Sequence, residues 1–206
     1  MEIILKYFKQ LNDHQIHQFT QLAALYKDWN DKINVVSRKD IDNLFERHVL
    51  HSLSIAKFIQ FTDGTEVMDL GTGGGFPAIP LAIMFPNVHF HAIDGTAKKI
   101  LVLNEVANAI ELKNIKGEQL RAEENKKKYD FIVTRAVASM EKLIPWTERL
   151  LKQKQQNAMP NGLIALKGGD LKSQANMTKR FTEMMMLNTY FEEEFFETKG
   201  LIYVQF

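Results

Sequence analysis

Between Val67 and Pro77 the chain runs an apolar strand, Val67-Met68-Asp69-Leu70, into four glycines in five positions, Gly71-Thr72-Gly73-Gly74-Gly75, and then into Phe76-Pro77. Glycine lets the backbone turn sharply and lets a ligand approach main-chain N–H groups, at a cost in backbone entropy that a plain turn would not require. Pro77 and Pro80 suit a first helical turn, whose N–H groups have no intrahelical partner. A strand, a glycine loop and a helix in direct succession place a ligand site at a strand's carboxyl end, as in open parallel α/β sheets.

The rest of the chain agrees. Beyond Thr65, strand and helix patterns alternate. Strands are expected at Glu66–Leu70, Val88–Ile93, Asn114–Gly117, Tyr129–Thr134, Gly162–Lys167, Tyr190–Glu197 and Leu201–Phe206. Helices are expected at Phe76–Phe85, after Thr96 with Ile100, Leu103, Ala107 and Ile110 on one face, around Met140–Lys152, and at Leu171–Leu187. Such alternation implies an α/β fold with a mostly parallel seven-stranded sheet, closed by an antiparallel C-terminal hairpin turning at Lys199-Gly200. Residues 1–60 read as helices only, with Leu22, Leu25, Tyr26, Trp29 and Ile33 in one run and Ile41 to Ile59 in another, Asp40 standing as its N-cap. The expected division is a helical region, 1–60, and a ligand-binding domain, 61–206.

Two carboxylates stand at successive strand ends, Asp69 and Asp94. Asp69 suits a cationic amine and Asp94 a vicinal diol, which favours S-adenosylmethionine, its aminocarboxypropyl chain passing over Gly71 and Gly73. Gly73-x-Gly75-x-x-Ala78 also fits a dinucleotide fingerprint, with Asp94 near the acidic position. Against that, a pyrophosphate needs N–H groups at the helix start, and Pro77 has none.

The motif Asp69-Leu70-Gly71-Thr72-Gly73-Gly74-Gly75-Phe76-Pro77-Ala78-Ile79-Pro80-Leu81-Ala82 resembles that of the bacterial ribosomal RNA small subunit methyltransferase G family, also called glucose-inhibited division protein B. So do Arg135-Ala136-Val137-Ala138, Trp29-Asn30 with Ile33-Asn34, Arg47-His48 with Ser52-Leu53, Arg121-Ala122-Glu123 and Leu166-Lys167-Gly168, in the same order along the chain. The chain departs from the family pattern in the unbroken Gly73-Gly74-Gly75 run and in having Asp94-Gly95-Thr96 where Glu-Ser commonly follows the second strand. The resemblance implies a Rossmann-like class I methyltransferase that methylates N7 of a guanine in the 530 loop of 16S rRNA, free or in a small-subunit assembly intermediate. It implies Gly71 and Phe76 at the methionine end of S-adenosylmethionine, and Asp94, with Gly95 and Thr96, at the ribose. Ala122 and Glu123 would border the adenine, and Arg135 would stand at the cofactor–substrate junction. Arg135 and, second, Lys167 are the candidates for acting on the substrate, since both stand at expected strand ends.

Composition narrows the chemistry. The absence of cysteine excludes thiolate metal sites and covalent cysteine mechanisms. Thr134-Arg135-Ala136-Val137 replaces the Asn/Asp-Pro-Pro-aromatic run of exocyclic-amine methyltransferases. No histidine spacing builds a metal site. The net charge of +1, from 26 Lys+Arg and 25 Asp+Glu, requires RNA to be held by a local patch. Candidates for that patch are Arg38, Lys39, Arg47, Lys98, Arg135 and Lys167. A cytoplasmic monomer without membrane attachment is expected. The competing readings are a nicotinamide-dependent oxidoreductase and a non-catalytic module that binds S-adenosylmethionine or rRNA.

Overall fold

A computed structural model describes residues 1–37 and 40–206. Arg38 and Lys39, two of the candidate RNA contacts, lie outside the described residues. A seven-stranded sheet forms the centre. In chain order its strands are β1 (Glu66–Leu70), β2 (His89–Asp94), β3 (Ile115–Gln119), β4 (Phe131–Arg135), β5 (Gly162–Gly168), β6 (Thr182–Met186) and β7 (Lys199–Gln205), and in space they lie β3-β2-β1-β4-β5-β7-β6. The first five pair in parallel; β7 runs antiparallel to both β5 and β6. The strand order reverses between β1 and β4, which puts the topological switch point at their carboxyl ends, after Leu70 and Arg135.

Period-two alternation divides the strand side chains between two cores. Val67, Phe131, Val133 and Ile164 face one core, built with Phe19, Leu22, Tyr26, Leu53, Ile79 and Val102. Met68, Ile132, Leu163 and Ala165 face the other, with Met140, Leu143 and Leu151. The helices are α1 (Glu2–Tyr7), α2 (Asp13–Lys32), α3 (His51–Phe58), α4 (Ala78–Met84), α5 (Ala97–Ala109), α6 (Met140–Glu148) and α7 (Leu171–Asn176). Asn12 and Gln15 close a capping box at the start of α2. Its end is turned by Asn30, whose Oδ1 accepts from the N–H groups of Val35 and Val36, both at 2.9 Å. A π-helical stretch, Phe45–Leu50, leads directly into α3.

Four expectations need correction. The helix expected over Leu171–Leu187 ends at Asn176, and Thr182–Met186 is instead the edge strand β6. Tyr190–Glu197 is no strand; it belongs to a long connection carrying short 3₁₀ turns at Leu187–Thr189 and Glu194–Phe196, with Phe191 and Phe196 buried. The antiparallel C-terminal pair is therefore β6–β7, and Gly200 sits inside β7, paired with Lys167 on one side and Met186 on the other. Asp40 does stand at the N-cap of a 3₁₀ turn, Ile41–Asn43, where its carbonyl accepts from Asn43 N at 3.0 Å, but its side chain makes no cap bond: it accepts from Arg47 at 2.6 Å and from Ser37 at 2.7 Å.

A cleft at the switch point

The glycine loop owes its path to three positive φ angles, 70° at Gly71, 59° at Gly73 and 111° at Gly75, where a side chain would be strained. At Gly71 a Cβ would also strike the Val137 side chain. The N–H groups of Gly71 and Thr72 donate to the Ile93 carbonyl at 2.9 and 3.0 Å, fastening the loop across the end of β2. From the other side, the buried Tyr26 hydroxyl donates to the Gly74 carbonyl at 2.7 Å, so helix α2 holds the loop down.

Asp94 ends β2 and faces the loop. Its two carboxylate oxygens accept from Gly73 N at 3.1 Å and Thr96 N at 2.8 Å, and Lys99 Nζ lies 3.9 Å away. Thr96 thus contributes its backbone N–H, and its hydroxyl does not cap α5. Asp69 lies beneath the loop and is 0% exposed. One carboxylate oxygen accepts from Ala78 N at 3.0 Å at the start of α4; the other, Oδ1, has no hydrogen-bond partner among the described residues. Burial pushes the Asp69 carboxyl up to about 7, a shift opposed by the neighbouring Thr72 hydroxyl, the Ala78 N–H and the charge of Arg135.

Two adjoining hollows open over these strand ends and share Gly71, Asp94 and Val137. One, about 290 Å³, is bounded by Leu70, Ile93, Leu120, Ala122 and Trp146, with Gly95, Arg121 and Glu123 at its rim. The other, about 340 Å³, is bounded by Val35, Gly73, Phe76, Lys99, Arg135 and Ala136. Together they form a cleft with an apolar end, a carboxylate in the middle and a cationic end. The apolar lining suits an adenosyl group in the first part and the cationic lining a carboxylate-bearing chain in the second, while the unpartnered Asp69 Oδ1 lies beneath the loop and lines neither hollow.

Arg135 closes the cationic end. One of its terminal nitrogens, Nη2, lies 2.9 Å from His48 Nδ1, the other, Nη1, donates to the Arg47 carbonyl at 3.2 Å, and its guanidinium stands 5.3 Å from the Phe76 ring centre. Burial lowers its pKa to about 10, against the pull of Asp69, so it stays charged at neutral pH. Ala136 follows with φ 56°, a left-handed conformation costly for a residue with a side chain, and this sharp turn lays Val137 over Gly71. The Lys167 ammonium donates to the Ala138 carbonyl and is only 8% exposed.

The structure therefore brings Gly71, Gly73, Phe76, Asp94, Gly95, Ala122, Glu123 and Arg135 to the walls of one cleft. It sets Asp69 beneath the loop and Lys167 behind the 135–138 turn. Sequence reasoning missed Trp146, Lys99 and Val35, which belong to no motif with a chemical signature, and gave no role to Val137 within the Arg135–Ala138 motif; Trp146 reaches the cleft only through the placement of α6. A larger hollow of about 580 Å³ lies over β2 and β3, where the link to β4 carries only the short turn Ala122–Glu124. Its Glu66 pairs with Lys127 and Lys152, and its Glu118 with Lys116. Among the described residues no group of acidic or histidine side chains is arranged to hold a metal ion, and no helix is long and apolar enough to cross a membrane.

Comparison with known proteins agrees with this geometry. A solved SAM-dependent methyltransferase from Aquifex aeolicus superimposes with a TM-score of 0.58 at 15% identity, covering 83% of this chain and 100% of that one. The precorrin-6y C5,15-methyltransferase of Geobacter metallireducens superimposes with a TM-score of 0.55 at 13% identity, covering 84% and 90%. These likenesses establish the fold. The ribosomal RNA small subunit methyltransferase G of Bacteroides thetaiotaomicron is 58% identical over 205 residues, 100% of both chains. Its counterpart from Flavobacterium johnsoniae is 51% identical over 204 residues, 99% of this chain and 97% of the relative. The sequence model of rRNA small subunit methyltransferase G matches residues 15–199. With the loop, the Asp94 carboxylate and the Arg135 turn on one cleft, and relatives matching from end to end, this chain belongs to the rRNA small subunit methyltransferase G family.

Proposed function

We propose that the protein methylates N7 of a guanine in the 530 loop of 16S rRNA, with S-adenosylmethionine as methyl donor, acting as a cytoplasmic monomer on free small-subunit rRNA or an assembly intermediate. When bound, S-adenosylmethionine supplies an electrophilic methyl group. Gly71, Gly73 and Phe76 line its methionine end, Asp94 with Gly95 holds the ribose, and Ala122, Glu123 and Trp146 border the adenine. Residues 61–206 carry this cofactor site; residues 1–60 add Val35 and the support behind Arg135.

One observation carries the N7 reading: the cationic end of the cleft offers donors and no free base. Arg135 and Lys99 are cations, Asp94 is engaged by two backbone N–H groups, and His48 has its Nδ1 turned to Arg135. Guanine N7 carries an in-plane lone pair and no proton, so its reaction requires in-line placement without proton abstraction. Arg135 is suited to hold the guanine through O6 or a flanking phosphate, because its planar fork matches either acceptor. Lys167 acts at one remove, by fixing the 135–138 turn.

The test is mass mapping of methylated nucleotides in small-subunit rRNA from cells with and without the gene. Loss of a single 7-methylguanosine in the 530 loop is the expected result. Loss of a methyl group from an exocyclic amine or a pyrimidine carbon would defeat the proposal. The relatives carry no support for the nicotinamide alternative.

A further inference from the structure

Arg135 reaches the cleft from the sheet, but the groups that hold its guanidinium come from the helical region. A guanidinium has only N–H donors and stays charged. Where its Nη2 lies 2.9 Å from His48 Nδ1, that nitrogen must therefore present its lone pair, and the imidazole proton must sit on Nε2. The neighbourhood keeps the ring neutral. Burial and the charges of Arg135 and Arg47 lower the His48 pKa to about 3, with only Asp40 opposing, and the adjacent His51 is itself held neutral by burial. The backbone contributes independently. His48 stands in the π-helical stretch Phe45–Leu50, an uncommon winding that concentrates at functional sites, and Arg47 of the same turn offers its carbonyl to Arg135. Arg47's own side chain is drawn the other way, to Asp40 at 2.6 Å. Phe76 packs against both partners, its ring 5.3 Å from the guanidinium and 5.3 Å from the His48 ring.

We propose that His48 is a positioning residue for methyl transfer: its Nδ1 lone pair and the Arg47 carbonyl fix the plane of the Arg135 guanidinium over Phe76, so that the remaining N–H groups address the guanine. This rests on the reading of Arg135 as the group that meets the substrate. His48 has no contact with the reacting atoms. Its effect passes through Arg135, and its contacts lie outside the ribose and adenine end of the cleft, which is formed at Asp94, Gly95 and Ala122.

A double-mutant cycle tests this, with single-turnover methylation of small-subunit rRNA by the parent, His48→Ala, Arg135→Ala and the double variant, and S-adenosylmethionine affinity by calorimetry. His48→Ala is expected to slow the methyl-transfer step by about 10- to 100-fold, the scale of a misaligned reacting group, with cofactor affinity unchanged. The double variant is expected to be no slower than Arg135→Ala. An impaired Arg135→Ala alongside a normal His48→Ala, or a further loss in the double variant equal to that of His48→Ala alone, would overturn the inference and leave the reading of Arg135 standing. Normal turnover by Arg135→Ala would overturn that reading and the inference with it. The parent protein gives a check free of folding effects: nitrogen-15 NMR is expected to show His48 neutral with its proton on Nε2. A proton on Nδ1 would contradict the arrangement.

Discussion

Asp94 and Asp69 stand at the ends of neighbouring strands and do different work. Asp94 accepts from the N–H groups of Gly73 and Thr96, one on each oxygen, and these bonds fix its carboxylate at the wall of the cleft. Asp94→Ala is expected to weaken S-adenosylmethionine binding by roughly 1–3 kcal/mol, through lost charge-assisted hydrogen bonds, measured by calorimetry. Unchanged affinity would remove Asp94 from the site. Asp69 pays for its burial. Its carboxyl titrates near 7 when folded, above the usual carboxylate range, so between about pH 4 and 7 the folded chain holds a proton that the unfolded chain has released. Stability from this group is therefore present at low pH and lost as pH rises through 7, the reverse of a salt-bridged aspartate. Asp69→Asn is expected to raise the Tm of the ligand-free protein at pH 8 by roughly 2–4 °C, with a smaller gain at pH 5, and to weaken cofactor binding. A gain as large at pH 5 as at pH 8 would contradict the assignment. At this scale the sequence showed the glycines, both carboxylates and Arg135, because each belongs to a strand-end motif. It could not show that Asp69 lies under the loop, which depends on how the loop folds back onto the start of α4, or that His48 meets Arg135, which depends on how the helical region packs.

Among the elements, the turn after β4 connects the sheet to the chemistry. Ala136 accepts a left-handed conformation, Val137 covers Gly71, and Lys167 at the end of β5 ties down the Ala138 carbonyl. Burial lowers the Lys167 pKa, so its charge is costly where it stands. Lys167→Met keeps length and apolar packing but frees the turn. It is expected to lower kcat/KM by roughly 1.5–3 kcal/mol in transition-state terms, with thermal stability little changed. A normal kcat/KM would show that the turn needs no tether. β1, β4 and β5 were legible because they are buried on both faces and read as apolar runs bounded by turn residues, whereas the half-exposed, polar β3 was marked only weakly. The C-terminal segments were not. Thr182–Met186 is an edge strand with most of its side chains exposed, so no burial pattern marks it, and its methionines favour helix on propensity alone. Phe191 and Phe196 suggested a strand, yet each is anchored in the core from an irregular connection, and Gly200, which reads as a turn, lies within β7.

For the molecule as a whole, the near-neutral charge governs how RNA is held. Of the cations first considered for the patch, Arg47 is paired with Asp40 and Lys167 is buried, which leaves, among the described residues, Arg135 at the cleft and the exposed Lys98. RNA affinity is accordingly expected to fall with salt on a shallow slope, about −2 to −3.5 in log–log form, which corresponds to roughly 3–5 phosphate contacts on single-stranded RNA. A filter-binding series from low to moderate salt measures it, and a slope indicating ten or so contacts would reveal a basic surface that the fold has not shown. The central claim, that this cleft transfers a methyl group to an unprotonated ring nitrogen by placement alone, is tested most directly by single-turnover methylation of small-subunit rRNA at saturating S-adenosylmethionine and RNA. The rate is expected to show no ionisation of a catalytic base between about pH 6 and 9. A rate climbing about tenfold per pH unit across that range would mean that a proton is removed in the reaction, and would contradict it.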